Sequence, residues 1–293
     1  MQRPDVLVLG AGGTIGGAWL GGVLAGIAEH SGIDFAVCEH IVGTSAGSMV
    51  AADLLAGVEP RQPASSDPDA RNGPIPLPAE DEAVRGRAGR FGGRLATAAG
   101  TSVAPLALAL GRTPGALVRA AALARVDGAR RSLDDLGARI ARHNLSWDGR
   151  LRIACVDRKR GRRVVFGSPG APTATVAEAV QASCSIPGFY RPVRIGESEY
   201  VDGAVWSPTN MDAAPAGRET HVLCLAPMGG PLGTRGPRGA AVRAATLAAL
   251  RLETLALQRR GAYVTVVVPE PADPAEHARA VGFRQGVALA REG

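Results

Sequence analysis

Short apolar runs alternate with longer segments of helical periodicity along most of the chain. Runs rich in Val, Ile and Leu predict buried strands at Asp5–Leu9, Cys38–Val42, Leu151–Val156, Arg163–Phe166, Val222–Leu225 and Val264–Val268. Helical segments are predicted at Ala18–His30, Ser48–Leu55, Thr175–Ser183, Arg238–Arg260 and Pro274–Arg291. Because strands alternate with helices, the pattern predicts an α/β fold, a three-layer α/β/α arrangement with a mostly parallel central sheet covered on both faces.

One long stretch interrupts this alternation. Gly57–Gly93 is rich in Pro, Arg, Asp and Gly, and we expect a mobile loop because the segment has little apolar surface to bury. Two apolar helices are then predicted at Thr101–Leu110 and Pro114–Arg125. They fit either a lid over an acyl-binding groove or packing against the sheet. We therefore predict one domain over residues 1–293, with a loop or lid insertion at about 57–125.

The first predicted strand ends in a glycine-rich turn, Gly10–Gly17. A glycine loop between a strand and a helix presents backbone N–H groups to an anion, and two interpretations compete. A dinucleotide-binding fingerprint fits poorly, because its third glycine would fall at Ile15 and neither Asp34 nor Glu39 is clearly the expected acidic partner. We favour an oxyanion hole that serves a nucleophile farther along the chain.

Gly43–Gly47 has the G-x-S-x-G pattern of a nucleophile elbow, with Ser45 at its centre. The turn from strand to helix is so tight that a Cβ at either glycine would clash with a neighbouring element. The serine hydroxyl then stands at the N-terminus of the following helix, where an anion is stabilised. Parallel neighbouring strands would place this turn and Gly10–Gly17 at the same edge of the sheet.

A catalytic serine needs a base, and the chain offers five histidines and one better-placed carboxylate. Of His30, His40, His143, His221 and His277, we keep only His277 as a candidate for a conventional triad. Asp202 lies in Tyr200–Ala204, at a strand end after a predicted hairpin, with Gly203 allowing close backbone approach. A partly desolvated carboxylate can accept the serine proton directly, although a bare Asp-Gly is also typical of a type I′ turn.

Together these segments resemble the patatin-like phospholipase family. Four motifs occur in the family's order, over roughly residues 5–55 and 150–215: Gly10–Gly16, Gly43–Gly47, Ala182–Pro187 and Asp202–Ala204. The resemblance implies a Ser45–Asp202 dyad without histidine. The backbone N–H groups that we assign to the oxyanion hole are those of Gly12 and Gly13, with Ala46 as a further donor. The glycines expected to shape these turns are Gly10, Gly16, Gly43, Gly47 and Gly203.

The chain departs from the family at one position, since Ile15 stands where the family usually has Arg or Lys. The departure bears on anionic head groups more than on hydrolysis, because the backbone donors are retained. Three other functions stay open at this stage: a Ser-His-Asp α/β-hydrolase, a nucleotide-binding oxidoreductase that uses the glycine loop, and a non-catalytic lipid-binding protein of the same fold. An early nucleophile at Ser45 argues against the first, whose elbow normally follows several strands.

Composition limits the partners. The net charge is +6 and arginine greatly outnumbers lysine, which fits either a bias of genome composition or attraction to anionic lipid. The arginines are scattered without interleaved aromatic residues, so we expect no nucleic-acid partner. An acyl-ester substrate and transient contact with a membrane surface are the partners expected. The chemistry requires no metal and no organic cofactor, and the sequence does not determine the oligomeric state.

The cysteines and the N-terminal segment indicate the compartment. Cys38, Cys155, Cys184 and Cys224 are widely spaced, so we expect buried, reduced thiols rather than zinc ligands or disulfides. We see neither a signal-peptide pattern nor a run of 18 apolar residues. We therefore expect a cytoplasmic protein, with peripheral membrane association as an option.

Overall fold

The structure is a computed structural model that describes residues 2–60, 112–126, 131–231, 236–271 and 278–292. Its strands are β1 Val6–Leu9, β2 His40–Gly43, β3 Leu151–Asp157, β4 Arg162–Phe166, β5 Val193–Ile195, β6 Ser198–Asp202, β7 His221–Leu225 and β8 Tyr263–Val267. The α-helices are α1 Gly13–Ser31, α2 Ala46–Leu55, α3 Arg112–Ala124, α4 Asp134–Ala141, α5 Val176–Ser183, α6 Gly236–Gln258 and α7 Ala278–Glu292. Short 3₁₀ turns follow several strands, among them Gly203–Val205 after β6 and Met211–Ala213.

The strands form one mixed sheet, in which hydrogen-bonded pairs connect β5-β6-β3-β2-β1-β7-β8 and β4 also pairs with β3. The strands β3, β2, β1, β7 and β8 are parallel, as predicted. The strands β4, β5 and β6 add antiparallel pairs, of which β3–β4 and β5–β6 are connected through short turns. The predicted α/β class is confirmed, with antiparallel pairing confined to one side of the sheet.

The edge of β3 determines where the ends of two other strands meet. The first half of β3 pairs with β2, as far as Gly43 opposite Ile153. The second half pairs with β6, with Asp202 opposite Cys155. Since β4 occupies the other edge of β3, β2 and β6 share one edge and approach each other end to end. This arrangement brings the segment after Gly43 to the end of β6.

Alternate residues of β1 face two different cores, as expected of a strand buried on both sides. Leu7 and Leu9 belong to the larger core, which α1, α2, α4 and α5 cover. Val6 and Val8 belong to the second core, which α6 covers with Leu250 and Leu257. The sheet is therefore enclosed between two helical layers.

The start of one helix and the burial of one strand differ from the sequence prediction. The helix predicted from Ala18 begins at Gly13 instead, because its hydrogen bonding starts inside the glycine loop, with Gly16 N–H donating to the Gly12 carbonyl at 2.9 Å. The strand predicted at Val264–Val268 was expected to be buried, but β8 lies at the edge of the sheet and its residues alternate between exposed and partly buried. An edge strand needs to bury only part of its surface, which explains the difference.

Most of the predicted insertion, residues 61–111, lies outside the described residues, together with the helix predicted at Thr101–Leu110. Its described part is α3, which packs Leu123 into a small cluster with Val156 and Val201. The opposite side of α3 exposes Leu117 (73%) and Val118 (50%). Among the described helices, none combines the length and the apolar character that a bilayer span needs.

Candidate active site

Ser45 lies on a strained turn between β2 and α2. Its backbone has φ 52° and ψ −120°, a left-handed conformation that costs a non-glycine residue on the order of 1–3 kcal/mol. The flanking glycines are required sterically. A Cβ at Gly43 would lie 2.6 Å from Ser48 Cα, and one at Gly47 would lie 2.0 Å from the Leu9 carbonyl oxygen. The turn therefore has the tight geometry of an elbow, and Gly47 packs directly against the end of β1.

The hydroxyl of Ser45 donates a hydrogen bond to Asp202, with 2.7 Å between Oγ and Oδ2. The other carboxylate oxygen, Oδ1, accepts from the Ala204 N–H at 2.8 Å. This second bond fixes the carboxylate plane and leaves Oδ2 for the serine. Both side chains are almost fully buried, with 4% of Ser45 and 3% of Asp202 exposed.

Burial raises the pKa of the Asp202 carboxyl from its ordinary value of 3.8 to about 7, and the hydrogen bonds from Ala204 and Ser45 oppose this rise. Desolvation penalises the charged carboxylate, which makes it a stronger base than an exposed aspartate. A group that changes protonation near neutral pH suits proton transfer to and from a serine hydroxyl.

Some N–H groups of the glycine loop are bonded within the protein, and others are available for an anion. Gly10 N–H donates to the Leu225 carbonyl and Ala11 N–H to the Pro208 carbonyl, at 2.9 and 2.8 Å. By contrast, within the described residues the N–H groups of Gly12 and Gly13 have no protein acceptor. A Cβ at Gly13, where φ is +60°, would meet no atom within 4 Å, so this part of the loop borders open space. Gly12 and Gly13 are the donors predicted from the sequence.

The elbow offers one further donor. Ser45 N–H donates to Ser183 Oγ at 2.9 Å and Gly47 N–H donates to the Thr44 carbonyl at 2.9 Å. Ala46, the first residue of α2, makes no such bond within the described part of the chain. Its N–H therefore stands at a helix N-terminus, where negative charge is stabilised.

The other predicted glycines pack the turns together. A Cβ at Gly16 would lie 2.9 Å from Pro227 Cβ, and one at Gly10 would lie 3.1 Å from the Leu225 carbonyl oxygen. A Cβ at Gly203 would lie 2.2 Å from the Ala154 carbonyl oxygen, so the turn after Asp202 also depends on glycine. Ile15, at the position where the family usually has a cation, is 48% exposed on the first turn of α1.

Three of the described histidines contact groups other than Ser45. His143 Nε2 lies 2.9 Å from Asp53 Oδ1, His221 stacks on Tyr263 with ring centroids 5.0 Å apart, and His30 meets Phe283 edge-on. His277, the triad candidate, lies outside the described residues.

All four cysteines are buried and free. Cys184 Sγ lies 3.8 Å from Ser48 Oγ, and burial raises the pKa of its thiol, so it packs as a neutral group beside the elbow.

Several side chains that hold the site were not identified from the sequence. Ser183 Oγ accepts the Ser45 N–H and donates to the Ala154 carbonyl at 2.8 Å, so it ties the elbow to β3. The sequence signalled Ser183 only as part of the Ala182–Pro187 motif. Asn210, which donates to Thr44 Oγ1 at 3.1 Å, had no signal beyond lying in a polar turn.

Comparison with known proteins adds to this geometry. The chain is similar to VipD from Legionella pneumophila, with 17% identity and a TM-score of 0.46 over 99% of this chain and 67% of that one. It is also similar to ExoU in the ExoU–SpcU complex from the type III secretion system of Pseudomonas aeruginosa, with 18% identity and a TM-score of 0.37 over 99% of this chain. The chain spans about half the length of ExoU, 52%. No curated protein matches its sequence.

A family model supplies the assignment. The model described as patatin-like phospholipase matches residues 7–215, which include the glycine loop, the elbow and Asp202. The match covers well over half of the chain. The chain therefore belongs to the patatin-like phospholipase family, a family of lipid acyl hydrolases.

Proposed function

We propose that this protein is a serine acyl hydrolase that cleaves carboxylic ester bonds of lipids with Ser45 as nucleophile and Asp202 as its base. The observation that carries the proposal is the 2.7 Å hydrogen bond from Ser45 Oγ to Asp202. It supports the proposal because the carboxylate is buried and its pKa is raised to about 7, so it is suited to accept the serine proton.

In this mechanism Ser45 Oγ attacks the ester carbonyl carbon while its proton passes to Asp202 Oδ2. The N–H groups of Gly12, Gly13 and Ala46 stabilise the tetrahedral oxyanion, and one such donor typically contributes about 3 kcal/mol. Collapse of the intermediate breaks the ester bond, and Asp202 returns the proton to the leaving alkoxide. Water then attacks the acyl-serine with Asp202 again as base, which releases the carboxylic acid and restores Ser45.

The proposal is tested by labelling with a fluorophosphonate, with wild-type protein beside Ser45→Ala, followed by peptide mass spectrometry. We expect phosphonate on Ser45 in the wild type, no label in the variant, and loss of p-nitrophenyl butyrate hydrolysis with an unchanged melting temperature. Folded wild-type protein that takes no label would contradict the proposal and favour a non-catalytic lipid-binding member. Activity lost in His277→Ala but kept in Asp202→Asn would indicate a conventional triad.

We further propose that the end of the sheet that carries Ser45, at the carboxyl ends of the parallel strands, meets the lipid surface. Because β3 is parallel to β1 and β2, the carboxyl ends of the three strands lie at the same end of the sheet. The turn that follows β3, Arg158–Gly161, therefore lies at the same end as the glycine loop and the elbow. This turn and the start of β4 are rich in basic residues, and Lys159 and Arg162 are exposed there. The exposed apolar side chains of Leu117 and Val118 lie on α3, which contacts the turn at Gly161. Adjacent basic and apolar groups suit an anionic membrane interface.

A further inference from the structure

A four-residue loop, Ser207–Asn210, contacts the turns that carry the proposed chemistry, and we name it the clasp. In the glycine loop, Ala11 N–H donates to the clasp carbonyl of Pro208 at 2.8 Å. In the elbow, Thr44 Oγ1 donates to the clasp carbonyl of Thr209 at 3.2 Å. The clasp thus joins the predicted oxyanion loop to the residue that precedes the nucleophile.

The side chain of Asn210 joins the elbow to the turn that follows the base. Its Nδ2 donates to Thr44 Oγ1 at 3.1 Å and to the Gly203 carbonyl at 3.3 Å. Thr44 is the residue before Ser45, and Gly203 is the residue after Asp202. One buried amide group therefore contacts the chain on both sides of the hydrogen bond between the nucleophile and the base.

The orientation of this amide is set by its partners. Asn210 Nδ2 also donates to the Ser207 carbonyl at 2.7 Å, so its two hydrogens are shared among three acceptors, whereas Oδ1 accepts from Arg163 Nη1 at 3.3 Å. A guanidinium can only donate, so the oxygen must face Arg163 and the nitrogen must face the elbow. Arg163 is itself held by Asp212, whose Oδ2 accepts from Nη2 at 2.9 Å.

Two further features make the clasp rigid. Asn210 has a left-handed backbone, with φ 51° and ψ 30°, which asparagine tolerates better than most residues. Glu253 of α6 is fully buried, and its Oε2 accepts from Thr209 Oγ1 and from Met211 N–H at 3.0 Å. The clasp is therefore anchored to the opposite helical layer, behind the sheet.

We infer that Asn210 is a positioning residue that keeps Ser45 and Asp202 within hydrogen-bonding distance through the reaction cycle. The inference rests on the proposed function, since it assigns a role in that reaction. The two partners are held on separate elements, β2–α2 and β6, so their relative placement depends on the contacts between the turns that carry them. A bridge that fixes both turns limits the misalignment of the pair, and displacements of about 1 Å can cost roughly 100-fold in rate.

The test compares Asn210→Gly with wild type in p-nitrophenyl butyrate hydrolysis, with active sites counted by fluorophosphonate titration to completion. Glycine tolerates the left-handed backbone and removes the side chain that carries the amide. We expect kcat per titrated site to fall roughly 10- to 100-fold with KM within about twofold of wild type. Partial unfolding alone would reduce the number of titrated sites and leave kcat per site unchanged.

Asn144→Gly is the matched control, because Asn144 is also left-handed, with φ 50°, and is exposed before β3, away from the dyad. It should keep wild-type kcat per site. Asn210→Asp, which keeps size and backbone preference but replaces the donor by an oxygen, covers the case in which the glycine variant does not fold. It should show the same loss.

Thr44 supplies the rescue experiment. Thr44→Val removes the hydroxyl that accepts from Asn210 and should lower kcat per site, whereas Thr44→Ser keeps the hydroxyl and should restore most of it. If kcat per site stays within about twofold of wild type in both Asn210 variants, the inference is wrong while the proposed function stands. A wild-type protein that is folded and inactive would refute the proposed function itself.

Discussion

At the scale of single residues, the carboxyl of Asp202 is buried where its negative charge is costly. The Ser45 hydroxyl and the Ala204 N–H solvate it only in part, and burial raises its pKa to about 7. The same desolvation that makes Asp202 basic makes the folded protein less stable when that carboxyl is ionised.

The first prediction concerns the pH dependence of hydrolysis. Below its pKa Asp202 is protonated and cannot accept the Ser45 proton, so kcat/KM should rise with pH and reach half its maximum near pH 7. The measurement is p-nitrophenyl butyrate hydrolysis from acid to alkaline pH, read at a wavelength where both forms of the product absorb equally. A rate that stays flat far below pH 7 would show that the pKa of the base is not raised to about 7.

The second prediction is that Asp202→Asn is inactive yet more stable than wild type at alkaline pH. The folded-state pKa lies above the ordinary value of 3.8, so the stability associated with this carboxyl is present at low pH and lost as pH rises through about 7. Asparagine can accept from Ala204 and donate to Ser45 without charge. We expect a gain in the free energy of unfolding of about 1 to 3 kcal/mol at pH 8.

Urea unfolding at pH 8 and pH 5 measures this gain, which should shrink at the lower pH. Burial also raises the pKa of Glu253 to about 7. Glu253 does not affect the comparison, because it is present in both wild type and variant. An asparagine variant that is less stable than wild type at pH 8 would contradict the prediction. It would show that interactions of the ionised carboxylate outweigh the cost of burying its charge.

At the scale of elements, glycines allow α1 and α7 to approach at backbone distance. A Cβ at Gly22 would lie 2.2 Å from the Arg279 carbonyl oxygen, and one at Gly26 would lie 2.3 Å from that of Phe283. On α7, a Cβ at Gly282 would lie 2.3 Å from the Trp19 carbonyl oxygen. This contact places α7 against α1, the helix whose first turn carries the predicted oxyanion donors.

Gly22→Ala and Gly21→Ala should therefore have opposite effects. At Gly22 the added methyl group forces the helices apart, and we expect a loss of about 1 to 3 kcal/mol in the free energy of unfolding. At Gly21 the methyl group meets nothing within 4 Å, so the helix-forming preference of alanine should leave stability equal or raise it by up to about 1 kcal/mol. Thermal melts of the two variants decide the point, and equal losses would contradict it.

At the scale of the whole molecule, the net charge is +6, and several of the basic residues lie in the turn after β3. Arg158 and Arg160 make ion pairs with Glu199 and Asp157, so the turn after β3 is ordered while it presents positive charge. The turn lies at the same end of the sheet as Ser45, and we propose that it orients this end toward anionic lipid.

Charge reversal at this turn should weaken binding to anionic vesicles. For Lys159→Glu combined with Arg162→Glu we expect the partition onto phosphatidylcholine–phosphatidylserine vesicles to fall at least about tenfold, since each basic group near such a surface contributes about 1 kcal/mol. Arg142→Glu combined with Arg259→Glu is the matched control. Both residues are exposed, and they lie on segments that lead into the amino ends of β3 and β8, at the opposite end of the sheet. Vesicle flotation measures the partition. Equal effects of the two double variants would refute the proposal that one end of the sheet binds the membrane.

The sequence by itself determined the local features of this protein. Apolar runs located the strands of the central sheet, and the glycines of Gly43–Gly47 and Gly10–Gly17 located two turns whose geometry depends on residues adjacent in the chain. Helix ends were less predictable, as Gly13 shows, because a glycine loop can continue into a helix without a side-chain signal. Asp202 was identified through a motif and a strand end, which are again local.

Only the tertiary structure decided how these turns meet. Ser45 and Asp202 are 157 positions apart, and they come together because β2 and β6 share one edge of β3. Strand order of this kind depends on pairing between distant segments, which no local periodicity records. The roles of Asn210 and Ser183 have the same origin, since a buried amide or hydroxyl acquires its function from the partners that folding places around it.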